Sequence, residues 1–238
     1  MKKNELLNFI GRYHLAGATT SVKWVANDGK LQTEFITDDQ NVIGHISSDN
    51  LDLGKNELGV YATPQLVKML SAVGDDLSVK VNAVDKTAVS INVNDSDVDM
   101  TFMLADLSVI RQVPDLKNTP DWNASINITN DFRNKFIKAK NALPESENFG
   151  ISCSHDSVEM IINYSTINSN RIKFQVDAET SSDMSVVCFS STLFKEILQA
   201  NKDAESGKLE VSSAGLARVS FTGKTYSSTY YLVQLQTA

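Results

Sequence analysis

The stretch that decides the fold is residues 129–143, TNDFRNKFIKAKNAL. Thr129 or Asn130 can cap a helix at its start, and Pro144 ends that helix. Apolar residues recur at helical spacing and predict one buried face: Phe132, Phe136, Ala139 and Leu143. Four cations surround that face beside a single acid, Asp131: Arg133, Lys135, Lys138 and Lys140. The pattern predicts a short basic helix.

A basic helix can be an ordinary solvated face, because Lys and Arg are good helix formers. Here, however, the whole chain of 238 residues has a net charge of −7 and a pI of about 5.0. Four predicted helical stretches, 2–14, 63–73, 129–143 and 191–202, hold ten basic and three acidic residues, which leaves 12 basic and 26 acidic residues elsewhere. Positive charge is therefore concentrated on helices, although the net charge alone argues against nucleic-acid binding.

The composition is that of an ordinary globular protein, with 42% hydrophobic residues. No apolar run approaches the ~18 residues that a membrane helix needs, and Asn4, Glu5 and Asn8 interrupt what would be the core of a signal peptide. Cys153 and Cys188 are the two cysteines, so a disulfide scaffold is excluded and a reducing compartment is favoured. We expect a cytoplasmic protein.

Most of the remaining chain predicts antiparallel strands. Asn27-Asp28-Gly29-Lys30 is a strong hairpin signal between two alternating segments. Thr63 is predicted to cap a second helix with Pro64 at its first position. Further strands are predicted at 41–46, 58–62, 77–81, 88–93 and 98–104. After residue 105 the alternation fades into a segment with two prolines, which suits a connector between domains.

The second half of the chain repeats the first. At an offset of 127 residues, Phe9 falls on Phe136, and the residues of the hairpin at 22–35 fall on apolar residues at 149–162. At the same offset Val60 falls on Val187, and Leu66-Val67-Lys68 falls on Leu193-Phe194-Lys195. At an offset of 128, TFML (101–104) falls on TYYL (229–232). The chain is predicted to hold two copies of one helix–strands–helix–strands unit.

The segments of the second copy, in this order, resemble the DNA sliding clamps of phages, archaea and eukaryotes, including proliferating cell nuclear antigen. The resemblance rests on FRNKFIKAKNAL, FGISCSHDSVEMII, SNRIKFQV, STLFKEILQANK, KLEVSSAGLARVSF and YYLVQL. It covers essentially the whole chain. Two departures favour a phage clamp, which would act in the cytoplasm of an infected host cell: ITDDQNVIGHI lacks an Asp-Pro-Ser-type segment, and the chain is somewhat short. The acidic, proline-bearing tail of cellular clamps, which bears on partner docking, is also absent, and the sequence stops at Gln236-Thr237-Ala238.

The resemblance implies an α+β DNA-clamp fold: domain 1 at 1–106, a connector at 107–123 and domain 2 at 124–238. Antiparallel sheets would lie outside, and two helices of each domain would line an inner face around duplex DNA, without reading its sequence. The residues expected to face DNA are Lys3, Arg12, Lys68, Arg133, Lys135, Lys138, Lys140, Lys195 and Lys202.

The resemblance also implies a homotrimeric ring closed by pairing of edge strands, opened by an ATP-dependent clamp loader and tethered to a DNA polymerase. The expected interface residues are Val98, Met100 and Phe102 of one chain with Arg171, Lys173 and Gln175 of the next. The expected polymerase-binding pocket comprises Val42, Ile43, Val109, Ile110, Val113, Tyr231 and Val233. The alternative is that all seven are core, and it is an equal alternative for Val42 and Val233, whereas the connector residues are the better pocket candidates. No cofactor, metal or catalysis is expected.

Catalytic and other interpretations are weaker. SCSHDS (152–157) places Cys153, His155 and Asp156 together, but a nucleophile and its base usually come from distant segments. His14, His45 and His155 are too scattered for a metal site. Three alternatives stay open: a monomeric processivity subunit with the same fold, a structural virion protein of duplicated β-domains, and a β-rich hydrolase. The monomeric form should carry positive net charge.

Overall fold

The computed structural model describes residues 1–116, 118–154, 157–167 and 169–236. His155 and Asp156 of the SCSHDS stretch, and the terminal Thr237 and Ala238, lie outside the described residues. The chain divides into two compact units. The first consists of Met1–Asp38, Ile43–Pro114 and Thr225–Ser228, and the second of Asp39–Val42, Asp115–Lys224 and Thr229–Ala238.

The first unit contains two helices and two groups of antiparallel strands. Its elements are α1 (Lys3–His14), β1 (Val22–Asn27), β2 (Lys30–Ile36), β3 (Val42–Asp49), β4 (Asn56–Val60), α2 (Thr63–Leu70), β5 (Ser78–Val84), β6 (Thr87–Asn94) and β7 (Asp99–Met103). Strands hydrogen-bond in the order β4–β1–β2–β3 in one group and β5–β6–β7 in the other.

The second unit contains β8 (Ala124–Asn127), α3 (Asn130–Ala142), β9 (Asn148–Ser154), β10 (Ser157–Ile162), β11 (Ile172–Val176), β12 (Ala178–Thr180), β13 (Met184–Ser190), α4 (Ser191–Ala200), β14 (Ser206–Ser212), β15 (Leu216–Thr222) and β16 (Tyr226–Val233). Its strand orders are β13–β9–β10–β11 and β12–β8–β14–β15–β16. The first three residues of β16 group with the first unit.

The two units are built on the same plan, which confirms the predicted fold class. The order β4–β1–β2–β3 corresponds to β13–β9–β10–β11, and β5–β6–β7 corresponds to β14–β15–β16. Register agrees as well, because Trp24 pairs with Thr33 and Ile151 pairs with Met160, both at an offset of 127 residues. The duplication read from the sequence is therefore present in the hydrogen-bonding pattern.

Two segments of the predicted alignment are wrong. Val22 pairs with Val60, whereas Phe149 pairs with Phe189, so the equivalent of Val60 is Phe189 and not Val187. The cause is extra chain before β13, where the register also shifts between Met184 and Val187.

Helix α4, which follows β13, is shifted by one residue from its predicted alignment with α2, whereas β13 is shifted by two. The residue before α2 is Ala62 and the residue before α4 is Ser190, an offset of 128. Lys68 therefore corresponds to Glu196 and not to Lys195.

The core of each unit is a cluster of aromatic rings beneath the helices. In the first unit the rings of Phe9 and Trp24 meet edge to face at 5.6 Å. In the second unit, the ring centroid of Phe149 lies 5.1 Å from that of Phe136 and 4.9 Å from that of Phe194. One residue of β9 therefore packs against both α3 and α4. Burying a side chain of this size stabilises the fold by roughly 1.5–3 kcal/mol.

The helix starts follow different capping rules. The Thr129 hydroxyl accepts the Phe132 N–H at 3.1 Å, so α3 begins where its sequence predicts. The prediction that Thr63 caps α2 is wrong, because Ala62 holds the cap position at φ 49° without a side-chain cap. Thr63 is instead buried, and its hydroxyl lies 3.3 Å from the Tyr13 hydroxyl.

Candidate nucleic-acid interface

The nine cations expected to face DNA fall into three environments. Four are exposed: Lys68, Lys135, Lys138 and Lys202. Two are half-buried, Lys3 and Lys195. The remaining three are buried, at 3% exposure for Arg12, 8% for Arg133 and 6% for Lys140. A phosphate can be reached only by a cation with accessible donors, so these three are corrected to structural residues.

Arg133 closes the end of α4. Its guanidinium donates to the backbone carbonyls of Asn201 and Lys202, each at 3.3 Å, and to the Asn130 side chain at 2.7 Å. The last carbonyls of a helix lack intrahelical partners and carry partial negative charge. The cation thus satisfies the end of the neighbouring helix instead of facing solvent.

Lys3 does the same for α2 in the first unit. Its ammonium donates to the Val73 carbonyl at 2.6 Å and lies 3.5 Å from the Asp75 carboxylate. Val73 and Asn201 are equivalent positions at the offset of 128 residues that relates the two second helices. The chain therefore uses one cation of each first helix to close the second helix, although the cations come from different positions.

Arg12 and Lys140 are held by contacts with a nearby ring and a nearby carbonyl, respectively. The Arg12 guanidinium carbon lies 3.3 Å from the centroid of the Tyr226 ring, a stacked cation–π geometry. The Lys140 ammonium donates to the Pro144 carbonyl at 2.7 Å, just beyond the end of α3. Burial lowers the pKa of Lys140, and the nearby positive charge of Lys195 lowers this pKa further.

The accessible cations of α3 lie on its solvent face. Lys138 is exposed, at the centre of a face that also presents Asn134 and Asn141. Lys135 lies at the side of the helix, 3.5 Å from the Asp131 carboxylate and 6.0 Å from the centroid of the Phe174 ring. Within the described residues, Lys138 takes part in none of the ion pairs. This face can offer a donor to phosphate, a kind of contact that positions a protein on a duplex without reading its sequence.

The two strands predicted to pair between copies are both free edges. β7 is the last strand of β5–β6–β7, and β11 is the last strand of β13–β9–β10–β11. Asp99 is the first residue of β7 and Asp97 lies two residues before it, whereas Arg171 immediately precedes β11 and Lys173 is its second residue. Lys173 also lies 2.8 Å from Glu159 on the neighbouring strand.

The interface side chains differ in accessibility. Met100 and Phe102 are buried, Val98 is half-buried, and Arg171, Lys173 and Gln175 are exposed. Pairing of edges uses the backbone, so burial of Met100 and Phe102 does not obstruct it. Tyr61, which was not predicted from the sequence, is exposed beside this edge with its ring 6.1 Å from that of Phe102.

The expected partner pocket is only partly accessible. Val42, Ile43 and Ile110 are buried, so the core alternative applies to them and they are removed from the predicted pocket. Val113 and Tyr231 are half-buried, and Val233 is exposed. Val109, at 70% exposure, and the neighbouring Leu107 form the exposed apolar start of the connector. Leu107 was not predicted from the sequence, although it precedes Val109 by two residues.

A backbone bridge fixes the start of this connector. Ala105 donates its N–H to the Gly59 carbonyl at 2.8 Å, and the two residues form an isolated antiparallel bridge beside β4. A Cβ at Gly59 would lie 2.4 Å from the Ala105 carbonyl oxygen, so only glycine permits this approach. The exposed residues Leu107 and Val109 therefore follow a fixed point within the first unit.

Metal centres and membrane-spanning helices each require a recognisable arrangement of residues. Among the residues that the structure describes, no group of three or more His, Cys, Asp or Glu side chains is arranged to hold a metal ion. Across the same residues, no helix combines the length and the apolar character needed to span a bilayer.

Comparison with known proteins gives a likeness of structure without one of sequence. No protein-family model and no curated protein sequence matches the chain. Similar structures include proliferating cell nuclear antigen (PCNA) from Entamoeba histolytica, with a TM-score of 0.74 and 15% identity over 99% of this chain and 96% of that one.

Two archaeal structures are similar to the same extent. A. fulgidus PCNA, bound to the C-terminal region of FEN-1, gives a TM-score of 0.76 and 14% identity over 100% of this chain and 98% of that one. The PCNA2–PCNA3 complex from Sulfolobus tokodaii gives a TM-score of 0.73 and 10% identity over 98% of this chain and 97% of that one. Along its whole length, this chain has the fold of PCNA-type DNA sliding clamps.

Proposed function

We propose that the chain is a sliding clamp. Three copies close into a ring around duplex DNA, independently of its sequence, and tether a replicative DNA polymerase so that synthesis becomes processive. An ATP-dependent loader opens the ring, and the chain itself catalyses no reaction. The observation that carries this proposal is the likeness to clamp structures over 98–100% of the chain.

The two free edges support ring formation. An exposed edge strand is a hazard unless it is covered or paired, and β7 and β11 would each be covered by pairing with the other strand on a second copy. Because each copy offers one edge of each kind, the contact is head to tail, which generates a closed ring when the rotation between copies fits.

The accessible lysines support loose contact with phosphate. Lys68, Lys135, Lys138 and Lys202 are exposed, and Lys138 lies among asparagines rather than acids. Sparse contacts of this kind give sequence-independent binding that permits sliding. The net charge of −7 disfavours the alternative of a monomeric subunit held on DNA by charge alone.

Leu107 and Val109 support a docking role for the connector. Exposed apolar side chains on a linker are candidates for a partner surface, and the bridge at Gly59 gives these two a fixed origin. We assign the polymerase to this surface. In the A. fulgidus structure the PCNA carries a segment of another protein, FEN-1.

A threading experiment tests the proposal without the loader. The protein is mixed with a linear duplex biotinylated at both ends, and streptavidin is added either before or after the protein. A ring enters over free ends, so it should remain with the DNA through gel filtration in high salt only when the caps are added last. Equal retention in both orders would indicate the monomeric alternative, and no retention in either order would overturn the proposal.

A further inference from the structure

The solvent faces of the first helices differ between the two units. The residues before the helices, Lys2 and Thr129, are 127 residues apart, and this offset relates the two helices throughout. Where α3 presents Lys135 and Lys138, α1 presents Asn8 and Gly11. A face with two lysines in the second unit is thus a face without charge in the first.

The second helices do not add to this difference. α2 presents one exposed cation, Lys68. α4 carries the half-buried Lys195 next to Glu196, and the exposed Lys202 follows the helix with Asp203 beside it. These acidic residues offset the positive charge of α4, so the difference in charge between the two units rests mainly on α1 and α3.

The two lysines at the start of α1 are each close to an acid. Lys2 lies 2.5 Å from the Asp76 carboxylate, and Lys3 is held by Val73 and Asp75. In the second unit the one comparable pair among the described residues is Lys135 with Asp131, at 3.5 Å.

A second observation concerns the half-buried Lys195. Its positive charge lowers the pKa of the buried Lys140, whose ammonium already donates to the Pro144 carbonyl. Like charges held together are relieved by an anion placed beside them. The equivalent positions in the first unit are Tyr13 and Val67, neither of which is charged.

We infer that the second unit makes most of the phosphate contacts of the DNA complex, while the first unit presents a nearly uncharged helix face to the duplex. This inference rests on the proposed function. It follows that each copy holds the duplex through one of its two units, so that contacts around the ring alternate between charged and neutral faces.

Gly11 fits the neutral face. A Cβ built at Gly11 meets no atom within 4 Å, so packing inside the chain does not require the glycine. Glycine in the interior of a helix is unfavourable relative to alanine. This partly exposed glycine leaves the face of α1 without a side chain or a charge at the position where α3 has Lys138.

The test compares two variants that each remove two positive charges per chain: Lys138→Ala/Lys195→Ala in the second unit and Lys2→Ala/Lys68→Ala in the first. Binding to a fluorescein-labelled linear duplex with open ends is measured by anisotropy over a series of KCl concentrations. The slope of log K against log salt should fall by roughly 0.9 for each phosphate that the variant no longer neutralises.

We expect the second-unit variant to weaken binding on the order of tenfold and to flatten the slope, and the first-unit variant to change affinity less than about twofold. Equal weakening in the two variants, or a larger effect in the first-unit variant, would overturn the inference. The streptavidin experiment is run on both variants, and normal trapping there would leave the proposed function standing. Absence of trapping in the wild type would contradict both the inference and the proposed function.

A gain of charge supplies an independent check. Gly11→Lys places an ammonium group where α3 has Lys138, and the open space around Gly11 accepts the side chain. This variant should bind the open duplex more tightly and with a steeper salt slope, whereas Gly11→Ala should bind as the wild type does. An unchanged slope in Gly11→Lys, with folding verified by circular dichroism, would contradict the inference.

Discussion

The guanidinium of Arg133 and the carbonyl oxygen of Asn201 lie 3.3 Å apart, which joins α3 to the end of α4. Because Asn201 is itself fully buried, its carbonyl has no access to water if the guanidinium is removed. Arg133, expected from its sequence pattern to face DNA, thus links two helices.

Arg133→Ala should therefore reduce stability. The Asn201 carbonyl also accepts the Ala204 N–H at 3.1 Å, so the substitution removes the charged donor and not every partner of this carbonyl. Loss of the hydrogen bonds from the guanidinium to the buried end of α4 should lower the free energy of unfolding by about 1–3 kcal/mol, measured by urea denaturation. Lys138→Ala on the exposed face of the same helix is the control, and it should change stability by no more than about 0.5 kcal/mol. Equal effects of the two substitutions would contradict the assigned role of Arg133.

Asp95 makes the stability of the first unit sensitive to acid. Backbone N–H groups of Asp97, Gly74 and Val98 donate to its carboxylate and hold its pKa below the ordinary value. A group with a lowered folded-state pKa contributes stability above its unfolded pKa and loses that contribution as the pH falls through the folded value. Asp95→Asn should therefore be less stable than the wild type at neutral pH, and the difference should shrink on acidification below the ordinary carboxyl pKa.

Thermal unfolding at a series of pH values measures this change. Asp97→Asn is the matched control, because it removes the same charge from the same turn. If both variants showed the same pH dependence, net charge and not the hydrogen bonds of Asp95 would be responsible.

Thr101→Pro should separate assembly from folding. Leu104 donates its N–H to Val89 on β6, so by the alternation of a strand the N–H of Thr101 points to the free edge of β7. Proline is tolerated at such a position within the chain but removes a donor that pairing with another copy needs. Light scattering should show a mass near the 26.1 kDa of one chain for this variant, against roughly three times that for the wild type.

Thr101→Ala keeps the N–H and is the control for this experiment. It should assemble as the wild type does. A trimer formed by Thr101→Pro would show that β7 is not the edge used in assembly.

Gly11→Ala should stabilise the chain. The site has open space for a Cβ and lies inside α1, so alanine should raise the free energy of unfolding by roughly 0.5–1 kcal/mol. Urea denaturation of the two proteins measures the gain. A decrease in stability would mean that a neighbour occupies this space in solution.

Val109→Asp should impair the tethering of polymerase and leave the fold intact. Val109 is the most exposed apolar residue in the described part of the connector, and a charge there should oppose an apolar partner without disturbing the core. The readout is the product length in primer extension by the replicative polymerase from the same source. Val84→Asp, at an exposed valine that ends β5, is the matched control and should behave as the wild type does.

The sequence predicted those parts of the fold that local patterns determine. The Asn27–Lys30 hairpin signal, the capped start of α3 and the duplicated order of elements are all present. The displaced alignment at Val60 could not be seen, because apolar strand residues are interchangeable and a shift of two residues preserves their alternation.

The roles of the cations were harder to predict for a related reason. Lys and Arg have long apolar stems, so their charged ends can turn toward a helix terminus while the stem stays buried. Helical spacing gives the side on which Arg12, Arg133 or Lys140 emerges and not the atom that it meets. Lys138 was correctly expected to be exposed because it lies directly opposite the apolar stripe.

The missing side chain at position 59 decides where the connector can begin. With any Cβ there, the Ala105 carbonyl would have to move away from β4, and Ile110, whose side chain lies 3.5 Å from the same point, would move with it. Sequence beyond residue 105 can vary in length and composition without shifting this origin. The absence of a side chain at Gly59 thus fixes one end of the connector. A designer who grafts a new linker onto this scaffold has to keep that glycine.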